Sequence, residues 1–332
     1  MMKRTVIHAV ILSLIGLSAM AQQNVTIQPG DDVVGIIQTV VDVGSTVTFE
    51  AGYYKVTPKE DGTGRPDLMR LPPATTVRGA GSGMDPSKAT IIDCGYAFDS
   101  VIKIDDNVDG CTFENMTLLN VIDAVIEFDA GSFDNTFNNV WALKAMGNTI
   151  DMNDSSEAVF NFCVFGWASG DAVNLAGTSY GVFTNCDMFL GSSDIIQTAD
   201  TSEAKLINCI IFAGPGANDI ETTGFMSVIH SVGWDPIDGD PAGISGALMG
   251  RLDVNGGNAW IDEYSVGEDP LYIAPPGMGF TAATMDLHLQ EGSPALTAGN
   301  TSFDEDDFPT GDPTFAGSQG PAPVNVSSWS LY

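Results

Sequence analysis

The stretch "VFTNCDMF", residues 182–189, has the composition of a β-strand, and its Asn-Cys pair returns 23 residues later in "LINCIIF", residues 206–212, again between apolar residues. Working outward, the same column takes in Asn115 of "TFENMTL", Asn139 of "TFNNVWA", Phe162 of "VFNFCVF" and His230 of "VIHSVGW", with steps of 24, 23, 23, 23 and 22. The next position forms a second column, Met116, Val140, Cys163, Cys186, Cys209 and Ser231. A third lies upstream in each repeat, Ile102, Ile126, Ile150, Val173, Ile196 and Ile220. Around it apolar and polar residues alternate, which marks half-buried strands and not helices.

Self-similarity with a period in the twenties means a solenoid, in which each repeat buries its apolar face only against its neighbours. The leucine-rich frame L-x-x-L-x-L-x-x-N is absent, and each repeat holds two or three short strands with no helical periodicity. The reading is therefore all-β: a single-stranded, parallel β-helix of about nine or ten coils of roughly 23 residues. Coils stacked at about 4.8 Å place Asn185 above Asn208, where the amides serve each other and the turn backbone. The Asn makes the bend and the Cys is a small inward hydrophobe. Phe162 and His230 interrupt the Asn column, and an isolated histidine in such a ladder reads as structural.

These residues resemble the right-handed parallel β-helix superfamily that includes pectate lyases, in which "F-x-N-C-x-x-F" is the end of one strand, an asparagine turn and the start of the next. The segment from Val25 to Thr57, with an amphipathic helix pattern from Val33 to Val40, resembles the amino-terminal cap and first coil (24–56) of secreted members. "TTVRGAGSG" followed by "ATIIDCG" resembles their next coil. "LQEGSPALTAG", residues 289–299, is similar to a closing module, L-x-x-G-S-P-A-x-x-x-G, common in bacterial secreted β-helix proteins. The resulting organisation is a β-helix domain over 22–300, with regular coils over 75–235, a Gly-, Asp- and Pro-rich irregular excursion over 235–268 and the closing module over 269–300. An acidic tail follows over 301–332.

The first residues, "MMKRTVIHAVILSLIGLSAMA", have a basic start, an apolar run and an A-x-A site ending at Ala21, the layout of a signal peptide over 1–21. The expectation is a secreted or cell-surface protein without a membrane span in the mature chain. Five cysteines are an odd number, and at least three occupy inward repeat positions, so buried thiols are expected and not a disulfide framework. With 12 Lys and Arg against 43 Asp and Glu, the formal charge is −31, which repels nucleic acid, anionic lipid and polyuronates unless cations intervene.

In the superfamily the substrate lies along the outer face of the first sheet. Here the outward column beside the Ile ladder is Lys103, Glu127, Asp151, Asn174, Gln197 and Glu221, a hydrogen-bonding stripe that suits an extended sugar chain and equally suits a solvated sheet face. Strict alternation puts Val101, Val125, Ala172 and Ile195 on that face too, with no aromatic ring among them, while Trp141, Trp167 and Trp234 lie nearby as platforms or core covers. In the lyases of this superfamily the base is a Lys or Arg, and between residues 89 and 235 only Lys103, Lys144 and Lys205 are available; Arg78 sits in "VRGAGSG", which resembles a structural corner of the superfamily. The hydrolytic N-T-D, D-D and G-H-G set is absent: "GNTIDM" holds Asn148, Thr149 and Asp151 in the wrong register. Glu127 and Asp151 on adjacent coils are spaced like a retaining glycosidase pair, about 5 Å. A lyase is favoured over a hydrolase, with no recognisable catalytic motif for either. Calcium is the one cofactor the acidic turns suit, at Asp235, Asp238 and Asp240 of "DPIDGDP", or in "FDEDDFPTGD" with Asp304 to Asp307 and Asp312, without EF-hand spacing. Two functions follow: binding, with or without cleavage, of an extracellular polysaccharide along the stripe, or a non-catalytic structural or adhesive scaffold that meets another surface protein.

Overall fold

The computed structural model describes residues 22–58, 66–212, 219–234, 254–256, 258–261, 265–274, 285–298 and 316–318. Among them the strands wind into three parallel sheets. The first has eight strands, from Met69–Arg70 through Ile102–Ile104, Ile126–Phe128, Ile150–Met152, Val173–Leu175, Ile196–Thr198 and Ile220–Thr222 to Val254–Asn255. The second runs from Asn24–Ile27 to Ala259–Ile261, and the third from Gly52–Lys55 to Val232–Trp234. In two coils one long strand, Thr112–Val121 or Asn135–Ala145, serves both the second and third sheets. The coil through Trp234 is longer than the regular repeat of 23 or 24 residues, because Ile220 pairs with Val254 and Met226 with Ala259. Val254–Asn255 and Ala259–Ile261 thus return to the sheets, and Val266 bridges Val232.

The Asn-Cys column is the corner between the second and third sheets. Asn115, Asn139, Phe162, Asn185, Asn208 and His230 all have left-handed backbones, with φ of 58°, 54°, 56°, 53°, 53° and 49°. Asn tolerates that conformation better than other non-glycine residues, which is why it dominates the column. Phe162 and His230 adopt it as well, so the coil geometry imposes the turn whatever residue is present. Asn139 donates from Nδ2 to Asn115 Oδ1 at 2.9 Å. Two further left-handed columns follow the coil. Asn107, Gly131, Asp154, Gly177 and Asp200 turn the chain from the first sheet to the second, and Asn120, Lys144, Trp167 and Leu190 bulge the third.

Inside the coils Phe113, Phe137, Phe160 and Phe183 stack at 4.9, 4.9 and 4.8 Å between ring centroids, the strand repeat itself. Cys163, Cys186 and Cys209 stack beside them, each thiol within 3.5 Å of a preceding strand's carbonyl. All five cysteines are free and buried, and burial pushes the Cys94 and Cys186 thiols up. A short helix, Val33–Ile37, buries Val33, Val34 and Ile37 and is started by Asp32, whose carboxylate accepts from the Gly35 amide at 3.0 Å.

From Thr90–Asp93 onward the third sheet is largely buried on both faces. Inward residues such as Cys186 and Met188 join the main core, whereas the outward Leu143, Val164, Phe189, Ile210 and Val232 form a second core with Tyr272, Leu287, Leu289, Ala295, Ala298 and Ala316 from the carboxyl-terminal segments. The cover is an antiparallel pair, Tyr272–Ala274 with Asp286–Leu289, then a helical turn, Ala295–Ala298. Gly166 leaves the space that Phe189 fills, since a Cβ there would meet its ring at 2.3 Å.

Candidate functional site on the first sheet

The strand register brings every residue of the expected stripe into one column. Lys103 pairs with Glu127, Glu127 with Asp151, Asp151 with Asn174, Asn174 with Gln197, and Gln197 with Glu221. Arg70 precedes the column and Asn255 follows it. The inward flanks, Ile102 to Ile220 on one side and Ile104, Phe128, Met152 and Leu175 on the other, are fully buried and fix the strand orientation, so each polar side chain points outward and is partly exposed.

The ladder is internally bonded. Lys103 Nζ contacts Glu127 at 2.5 Å and Asp129 at 3.2 Å, and Ser100 donates to the other Glu127 oxygen at 2.7 Å. Asn174 donates to Asp151 at 2.8 Å and Gln197 to Glu221 at 3.1 Å. Arg70 bridges Asp67 and Asp105. Burial alone would lower the Lys103 ammonium, yet Glu127 and Asp129 outweigh it and hold the group above its ordinary value. That is the opposite of what a lysine base requires. Glu127 and Asp151 are neighbours in register, but Glu127 is tied to Lys103 and Asp151 accepts from Asn174.

Val101, Val125, Ala172 and Ile195 do not share this face. They are 0, 0, 0 and 1 % exposed and lie in the main core, which corrects the strict alternation. At two of these strand entries the cause is a shared acceptor. The amides of Val101 and Ile102 both bond Val125 O, and those of Ile195 and Ile196 both bond Asp219 O, so two successive side chains turn inward. Trp141, Trp167 and Trp234 belong to or pack against the second core and are not platforms beside the stripe.

Carboxylates the sequence did not single out line the entry turn. Asn148 accepts from the Asp171 amide at 2.8 Å, and Asp171 from that of Asp194 at 3.0 Å, a ladder that caps successive strands and in which Asp171 and Asp194 are buried. Thr149 donates to Ala172 O, so the "NTID" residues serve the coil. Burial raises the Asp171 carboxyl above the usual range. At Asp123 partial burial acts first, followed by the charges of Glu127, Asp151 and Asp99. The signal for this column is the recurrent Asp or Asn one or two residues before each apolar entry. Asp235, Asp238, Asp240, Asp304 to Asp307 and Asp312 lie outside the described residues, as does the leader.

A family model for the right handed beta helix region matches residues 100–225. The crystal structure of pectate lyase Pel9A is similar over 91 % of this chain and 97 % of that chain, with a TM-score of 0.52 and 13 % identity. No curated protein matches the chain. Among the described residues no helix is long and apolar enough to cross a membrane. Register, left-handed corners and these likenesses agree: the chain is a right-handed parallel β-helix with the pectate-lyase-like fold.

Proposed function

We propose that this is an exported protein that binds an extracellular polysaccharide along the outer face of its first sheet without cleaving it. The observation that carries the reading is the unbroken column of partly exposed polar side chains from Lys103 to Glu221, one per coil. Donors and acceptors repeated at strand spacing, about 4.8 Å, suit the recurring hydroxyls of an extended sugar chain. The fold likeness to a pectate lyase supports a saccharide ligand. Binding is favoured over elimination because Lys103 is paired with two carboxylates and held in its charged form. Its acidic members admit a polyuronate only with a cation such as calcium between them.

The test is affinity electrophoresis in gels of polygalacturonate, alginate and neutral glycans, with calcium or chelator, beside the ultraviolet absorbance of unsaturated products. The expected result is retardation with flat absorbance, and about tenfold weaker binding in Asn174→Ala/Gln197→Ala. A rise in absorbance that Lys103→Met abolishes would restore the lyase. Retardation by none of the glycans would favour the rigid scaffold, which the internal pairing of the ladder supports.

A further inference from the structure

The second sheet presents a different outer surface. Its register places Glu157, Tyr180, Glu203 and Phe225 side by side in one column, and Val159, Val182, Lys205, Ser227 and Trp260 in the next. Toward the amino terminus the second of these columns holds Thr46, Thr76, Thr112 and Thr136. Aromatic side chains enter only at the carboxyl-terminal end. The intervening residues Ala158, Phe183, Ala204, Leu206, Met226 and Val228 are buried, so the two columns face outward. Phe225 is 55 % and Trp260 58 % exposed, Tyr180 is partly exposed, and the Lys205 ammonium lies 5.8 Å from the Tyr180 ring centre.

Large aromatic rings held in water on a rigid sheet mark a contact surface. The ring faces suit the C–H face of a pyranose, and Glu203, Lys205 and Ser227, set between them, suit its hydroxyls. Tyr180 and Phe225 are two coils apart, about 10 Å, which is comparable to a disaccharide in an extended chain. A second copy of a chain carrying a charge of −31 would be repelled, as would a polyuronate. Charged residues between the rings also argue against a protein partner, whose contact core excludes them. We infer that the outer face of the second sheet, at Tyr180, Phe225 and Trp260, is a second saccharide surface that takes a neutral, hydroxyl-rich chain lying along the solenoid axis. It stands independently of the stripe on the first sheet.

The experiment runs the full chain, Phe225→Ala/Trp260→Ala and Asn174→Ala/Gln197→Ala through gels of a soluble β-glucan, an α-glucan, a galactomannan and polygalacturonate. The platform reading expects at least one neutral glycan to retard the native chain, about tenfold weaker binding in the aromatic variant, and unchanged neutral-glycan binding in the stripe variant. Tryptophan emission should shift with that glycan in the native chain and shift less in the aromatic variant. Retardation by no neutral glycan, or equal retardation of native and aromatic variant, overturns the platform. So does a dimer in sedimentation that the aromatic variant loses. Because the two double variants report on separate sheets, either site can fail while the other stands.

Discussion

The outer faces of the first and third sheets are built by the same coils, and they meet opposite fates. On the first, each coil offers a polar side chain, Lys103 to Glu221, bonded along the column and partly open to water. On the third, the positions Leu143, Gly166, Phe189, Phe212 and Trp234 form an apolar column, and two carboxyl-terminal segments close over it. A coil therefore buries its interior by stacking alone, whereas its exterior becomes core only where sequence far downstream supplies a cover. Asp187, a carboxylate under that cover, is 1 % exposed and is the clasp: Tyr272 and the Ser318 hydroxyl donate to it, and the Ser318 amide does so at 2.7 Å.

Truncation should separate the two faces most strongly. Phe189→Ala removes a fully buried ring of the second core and should cost about 3–5 kcal/mol, whereas Gln197→Ala on the first sheet should stay within about 0.5 kcal/mol. Urea unfolding of both variants checks this, and equal losses would break the distinction.

An intermediate effect is expected from pH. Burial pushes the Asp187 carboxyl up to about 6, against an unfolded value of about 3.9. The folded state therefore binds the proton more tightly, so stability gained below the unfolded value is lost as pH rises through about 6. The difference amounts to roughly 2–3 kcal/mol at most between pH 4 and pH 7.5. Asp187→Asn should lack that component, measured as the difference in urea stability between native and variant at the two pH values. An identical pH dependence in both would show that the clasp does not titrate in this window. First-sheet carboxylates cancel in this difference, because they are common to both proteins.

The smallest effect concerns the corner that both faces share. Phe162 holds φ of 56° with its side chain 39 % exposed, so Phe162→Asn exchanges a strained bulky residue for one that tolerates the turn. A gain of about 0.5–1 kcal/mol, or roughly 1–3 °C in Tm, is expected by calorimetry. A loss would mean that the Phe162 ring packs to more effect than its exposure suggests.

The 23-residue period and the Asn-Cys column were legible because coil length and the left-handed corner act on each repeat locally, and Asn carries a chemical signature for that turn. The stripe was legible because a parallel register repeats whatever the period repeats. The bulge column Asn120, Lys144, Trp167 and Leu190 was not, since three of its four residue types carry no such signature. Nor were the inward turns of Val101, Val125, Ala172 and Ile195; at Val101 and Ile195 alternation fails because two successive amides share one acceptor. By itself, then, the sequence determined the solenoid, its period and which residues stack. Only the tertiary structure decided which outer face stays open, because the cover over Phe189 and Asp187 comes from Tyr272, Leu287 and Ser318, some 80 to 130 residues away along the chain, and no periodic pattern encodes that contact.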